Sequence, residues 1–103
     1  DKRASLSYWQ EALATAGSPY VRDVSSMHVH DLTIEVDLQT LRGALSAWRA
    51  KDGANAPSLE MLTRGGFVRR IPLDPEGRPY LYDPRTGEVS TQSRFTLRRK
   101  AGA

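Results

Sequence analysis

A chain of 103 residues with no cysteine excludes disulfide staples, thiolate zinc sites and thiol chemistry, and leaves room for one core of modest size. Its 39% hydrophobic and 26% charged content fits a globular chain, not a disordered one. The formal charge of +3 is concentrated: Arg94, Arg98, Arg99 and Lys100 fall within the last ten residues, so the high pI describes a basic tail at residues 99–103 and not a basic surface.

No apolar run approaches the roughly 20 residues that span a bilayer, so membrane contact is expected only through a segment or partner outside this chain. The first residue is Asp1, not an initiator Met. That start is expected of a processed protein, a trimmed chain or one end of something longer. In "RASLSYWQEALATAG", Leu6, Trp9, Leu13 and Ala16 recur at spacings of three and four, which predicts an amphipathic helix stopped by Gly17. Ser18 followed by Pro19 is a start signal for a second helix.

From Tyr20 to Asp52 two periodicities use the same residues. Tyr20, Val24, Met27, Ile34, Leu38, Leu41, Leu45 and Trp48 form a helical stripe, interrupted at Asp31. At period two, "MHVHDLTIEV" and the residues after it alternate Leu32, Ile34, Val36 and Leu38 as a half-buried strand would, so residues 27–36 stay open between helix and strand. Helix is preferred throughout, with a bend near His30 to Thr33. The pattern continues smoothly into "DLQTLRGALSAWRAKDG", where Leu38, Leu41, Leu45 and Trp48 bury, Arg42 and Arg49 face out and Gly53 caps.

Pro57 is expected at the first position of a short helix carrying Leu59, Met61 and Leu62, ended by Arg64-Gly65-Gly66. Phe67, Val68 and Ile71 follow in an extended piece. In "IPLDPEGRPYLYDPRTGEVS", Ile71, Asp74, Arg78 and Asp83 each precede a proline and are pushed to extended backbone. Asp74-Pro75-Glu76-Gly77 has the composition of a β-turn. "PYLY" predicts a strand with Tyr80 and Tyr82 on one face and Leu81 on the other. Asp83 to Gly87 predicts a type I hairpin loop closed by a left-handed glycine, "EVST" the returning strand, and "RFTLR" a third strand using Phe95 and Leu97. Such short strands need a helix beside them to be stable in water. The fold class expected is therefore α+β, a single domain over 1–103: N-terminal helices, including one long helix, over 1–52 and a small C-terminal antiparallel β-sheet with its short helix over 53–98.

The order and spacing of Asp37, Gln39, Leu41, Ala44, Leu45, Gly53, Leu59, Leu62, Pro72, Asp74, Pro75, Gly77, Pro79, Tyr80 and Tyr82 resembles the globular part of the type II secretion major pseudopilins, which are type IV pilin-like proteins. The likeness covers about Asp37 to Tyr82. It implies a pilin-like head, with Pro72, Asp74, Pro75, Gly77, Pro79, Tyr80 and Tyr82 as the structural motif. It also implies a structural role in a cell-envelope or extracellular assembly, with protein partners and no small-molecule substrate. The chain departs from that family where its hydrophobic stem would lie, at Arg22, Asp23, His28, His30, Asp31, Glu35 and Asp37, and it adds a helix at Ala4 to Ala16. Those departures look like a soluble helical lead-in, such as the end of a tetratricopeptide-like array. Glu76 stands where the family often has Trp, and no acidic residue follows Glu88, so the family's calcium loop is not expected here.

His28, His30 and Asp31 invite a metal reading. On a helix, however, positions two apart diverge by roughly 200°, so the helical reading opposes that site and the histidines are expected as surface or capping residues. No nucleophile elbow, zincin helix or Ser-x-x-Lys pair is present, and the carboxylate pairs Asp74 with Glu76 and Asp83 with Glu88 sit in turns, where Asp bonds its own backbone. No catalytic residue, metal or cofactor is expected. Tyr80, Tyr82, Phe67 and Trp48 are expected to clamp the sheet onto the helix. Arg69, Arg70, Arg94, Arg98, Arg99 and Lys100 are the candidate partner contacts. The leading expectation is a non-catalytic structural or interaction module. One alternative binds an anionic partner (nucleic acid, lipid headgroup or acidic protein) through the Arg-rich C-terminus. Nucleic acid is the least favoured of these, because only "RFTLRRK" joins basic residues to an aromatic. The other alternative is a trimmed subunit of a secretion or pilus filament.

Overall fold

A computed structural model describes residues 1–97. The element order is α1 (Lys2–Ala14), α2 (Pro19–Asp52), α3 (Glu60–Arg64), β1 (Leu81–Asp83) and β2 (Glu88–Ser90), an α+β fold as the sequence predicts. Two compact units divide it: residues 1–36 with the segment from Arg94, and residues 37–93. The division falls inside α2, not at the Asp52–Gly53 boundary that the change in composition suggested. No helix among the described residues is long and apolar enough to cross a membrane.

In the first unit, the Asp1 carboxylate caps α1 by accepting from the amides of Arg3 and Ala4 at 2.8 and 3.3 Å. The helix ends at Ala14, where the Thr15 amide and hydroxyl both bond the Glu11 carbonyl. Gly17 lies beyond that end and has no left-handed backbone, so it is not the stop the sequence suggested. Ser18 accepts from the Val21 amide at 3.2 Å and opens α2 as predicted. Residues 27–36 are helical. The β-branched Thr33 fits there because its hydroxyl donates to the Val29 carbonyl at 2.6 Å, satisfying within the helix a group that would otherwise compete with it. Residues 94–98 were expected as a strand, but Thr96 and Leu97 have helical backbone, and Arg98 lies outside the described residues.

In the second unit, Leu38, Leu41, Ala44 and Leu45 of α2 are buried, as are Ala56, Leu59, Leu62, Tyr80 and Val89. Gly53, at φ 84°, closes α2 with its amide on the Arg49 carbonyl at 2.8 Å. Pro57 does not start α3. The Ala56 carbonyl is held by the Tyr82 hydroxyl, and the first turn bond runs from the Leu62 amide to Leu59. Asn55 and Ala56 are thus tied to the hairpin before the helix can begin. α3 ends in a Schellman closure, with the Phe67 amide on the Leu62 carbonyl, the Gly66 amide on Thr63 and Gly66 at φ 78°. β1 and β2 pair antiparallel, Leu81 with Ser90, Tyr82 with Val89 and Asp83 with Glu88. Val89 turns inward while Leu81 is half-exposed on the other face.

The hairpin loop needs glycine at one position for two reasons. Gly87 has φ 78°, and a Cβ there would stand 2.8 Å from Asn55 Oδ1. Gly87→Ala should therefore lower stability by about 2 kcal/mol, the left-handed penalty alone being ~1–2. Gly17→Ala, with nothing within 4 Å of the added carbon, should stay within about 0.5 kcal/mol of wild type. Urea denaturation of the two variants checks the difference.

Candidate functional site

The proline-rich motif is built around the Asp74 carboxylate, whose side chain has no exposed surface. Oδ1 accepts from the amides of Glu76 and Arg78, each at 2.9 Å, and Oδ2 accepts from the Ser93 hydroxyl at 2.6 Å. The main chain of Asp74 adds a bond from its amide to the Arg78 carbonyl and accepts the Gly77 amide, which makes the predicted turn. Gly77, at φ 80°, supplies the left-handed residue that closes it. Burial raises the Asp74 pKa and is the largest single influence. The Ser93 hydroxyl, the two amides and the Arg78 cation together outweigh it and hold the group below the usual range. Arg78 donates through Nη2 to Ser93 Oγ at 2.7 Å and to Glu76 Oε1 at 3.3 Å, so Glu76 serves as the arginine's exposed partner. Gln92 bonds the Pro79 carbonyl, and Leu73 and Pro79 form an isolated antiparallel bridge.

The four aromatics do not form one clamp. Tyr80 is buried and donates to Asp37 Oδ2 at 2.6 Å. Burial, then that bond, drives its pKa far above the usual phenol value, so it remains a donor. Tyr82 donates to the Ala56 carbonyl at 2.7 Å. Trp48 packs instead against Phe67, ring centroids 5.5 Å apart and planes tilted by 53°. Asp37 and Trp48 stand about three turns apart on α2, so Tyr80 and Trp48 engage different stretches of that helix, and Tyr82 holds Ala56 beyond its end. Of the expected core stripe, Leu38, Leu41 and Leu45 are buried and Trp48 half-buried, whereas Tyr20 is 76% exposed.

The histidines part as the helical geometry requires. His28 stacks on Trp9 with centroids 3.8 Å apart and planes 3° off parallel, while His30 Nδ1 meets Asp31 Oδ1 at 2.8 Å. No group of three metal-ligating side chains gathers among the described residues. Asp31, an interruption in the sequence pattern, is the first unit's organiser. Its carboxylate accepts from the Thr96 amide and hydroxyl and from the Leu97 amide, at 2.9, 3.0 and 2.8 Å. Burial is again the largest influence on its pKa and raises it. Hydrogen bonds from His30, Leu97 and Thr96 together bring it below the usual value.

Among the candidate partner contacts, Arg69, Arg70 and Arg94 are exposed and make no hydrogen bond or ion pair among the described residues. Arg69 and Arg70 belong to the second unit and Arg94 to the first. Arg98, Arg99 and Lys100 lie outside the described residues. Asp83 accepts from the Arg85 amide and guanidinium, an exposed turn contact of the expected kind. The residues that sequence reasoning missed as organisers are Asp31, Asp37, Asn55 and Ser93. Only Asn55, a polar residue two positions after a helix-capping glycine, carried a local signal. No family model, curated protein or solved structure matches the chain.

Asp31, Asp74 and Asp83 have lowered folded-state pKa values. Their contribution to stability is complete above the unfolded carboxylate value of about 4 and is lost as pH falls from there through the folded values. The urea midpoint should therefore be lower at pH 3 than at pH 6. Asp31→Asn, which keeps the shape but not two full acceptor oxygens, should cost about 2–3 kcal/mol at pH 6 and make the midpoint less sensitive to acid.

Proposed function

We propose that this chain is a non-catalytic interaction module, a pilin-like head that works within a cell-envelope or extracellular assembly and meets protein partners through its surface. The observation that carries the reading is the fate of the motif's polar groups. The Asp74 carboxylate is taken up by the turn and Ser93, the Tyr80 hydroxyl by Asp37 and the Tyr82 hydroxyl by Ala56. A motif whose chemistry is directed inward in this way holds a shape, and its outward residues are what a partner would meet. Those include Leu81, 50% exposed on the outer face of the hairpin, and Arg69 and Arg70. The motif's likeness to the pseudopilins supports the envelope setting.

A photo-crosslinking residue at position 81, in cells that make the protein, tests the reading. The expected result is a covalent adduct of defined mass in the envelope or secreted fraction. Recovery of the chain in the cytosol, without adducts, would overturn it. Retention on heparin that falls with salt and disappears on deleting Arg94 to Ala103 would favour the anionic-partner reading instead.

A further inference from the structure

The second unit contains a cleft of about 160 Å³ between the last turns of α2 and the hairpin loop. We propose that it binds a phosphate-type oxyanion, a tetrahedral dianion held between Arg42 and Arg49. This inference does not rest on the pilin-like reading and goes beyond it.

Arg42, Ser46 and Arg49 follow one another at spacings of four and three, so they share one face of α2. The cleft places Thr86 and Gly87 of the hairpin loop opposite that face. Two cations therefore line one small space, and no carboxylate lines it with them. Elsewhere in this unit two arginines are paired with carboxylates, while Arg69 and Arg70 are exposed and unpaired among the described residues. Arg78 reaches Glu76 and Asp74, and Arg85 reaches Asp83. The Arg42 guanidinium makes no hydrogen bond or ion pair among the described residues, and neither does the Ser46 hydroxyl.

Arg49 is held in place for the role. Its Nη1 donates to Asn55 Oδ1 at 3.0 Å, while Asn55 Nδ2 donates to the Pro84 and Arg85 carbonyls at 3.1 and 3.4 Å. The missing side chain at Gly87 leaves room for Asn55 to lie there. Asn55 thus pins one guanidinium to the hairpin loop, and its own acceptor oxygen is already taken up by that guanidinium. The remaining Arg49 donors, the whole Arg42 fork and the Ser46 hydroxyl are left for an incoming group. Guanidinium forks match the oxygens of phosphate. Two like charges along one face repel until a counter-charge joins them, and a dianion neutralises both where a single carboxylate neutralises one. Buried Leu45 and Ala56 form part of the lining and strengthen these interactions by excluding water from one side.

The test is an NMR titration of the full chain with inorganic phosphate at pH 7.5, ionic strength held constant with chloride. Saturable shifts are expected at the amides of Ser46, Thr86 and Gly87 and at the side-chain Nε of Arg42 and Arg49. Arg42→Gln should weaken binding by about tenfold, as loss of a charge-assisted contact does. Arg69→Gln and Arg94→Gln should leave it unchanged. Arg42 is exposed, so an unaltered thermal midpoint will show that its variant is folded. A parallel titration with glycerol 3-phosphate separates the sources: tighter binding than inorganic phosphate assigns a phosphomonoester as occupant, and equal binding assigns the free ion. Shifts spread over all the arginines without saturation would overturn the proposal. So would an Arg42→Gln variant that binds as well as wild type, or acetate binding as strongly as phosphate.

Discussion

The Asp74 carboxylate, with no side-chain surface left in water, can remain ionised only where donors replace its hydration. The chain supplies them from within the proline-rich motif and from just beyond it. The amides of Glu76 and Arg78 come from the turn that Asp74 itself begins, and the Ser93 hydroxyl comes from beyond the hairpin. Much of the second unit follows from that arrangement. Fixing Arg78 gives its guanidinium a reach to Ser93, and Gln92 beside it bonds the Pro79 carbonyl. The segment after β2 is thereby laced to the segment before β1. A two-stranded sheet three residues deep is too small to persist alone. Here it is secured by this lacing, by Tyr80 on Asp37 and by Tyr82 on Ala56.

The first unit repeats the principle with different parts. Asp31 gathers the Thr96 and Leu97 amides and the Thr96 hydroxyl onto α2, and Trp9 stacks on His28 to join α1 to the same helix. In both units a buried aspartate accepts backbone amides that would lack an acceptor away from water, and it also reaches a distant segment, Asp31 through the Thr96 and Leu97 amides and Asp74 through the Ser93 hydroxyl. Neither carboxylate is left waiting for a proton or an ion. Both are occupied in holding main chain, which is why the functional reading rests on surfaces.

What was legible in the sequence was what is local. Ser18 and Gly53 mark the limits of α2 because capping involves residues three or four apart. Asp74 to Gly77 and Asp83 to Gly87 announce their turns because proline and glycine act on their own dihedrals. Pro57 and Gly17 misled for the complementary reason, since each is a good local signal set aside by a neighbour. The Tyr82 hydroxyl holds the Ala56 carbonyl before α3 can begin, and Thr15 bonds the Glu11 carbonyl at the end of α1. The "RFTLR" alternation rested on two apolar residues, too few to define a period, and Asp31 captures the amides such a strand would have needed. Asp31 bonds Thr96 and Leu97 65 and 66 positions away, Tyr80 bonds Asp37 43 away, and Ser93 bonds Asp74 19 and Arg78 15 away, and no spacing rule reaches so far. The same holds for the cleft. Arg42 and Arg49 are exposed, as their positions on the helix predict, but nothing local shows that the hairpin loop and Asn55 line a cleft with them.

Taken together, the two aspartates hold main chain and nearby hydroxyls in place from buried positions in their respective units. The carboxyl carbon chemical shifts of Asp31 and Asp74, followed by NMR as pH is lowered, test that account most directly. Both groups should titrate below the ordinary carboxylate value of about 4, and the Thr96 and Leu97 amides should shift together with Asp31. Titration of either carboxyl above that value, as a carboxylate buried without its backbone donors would do, would contradict it.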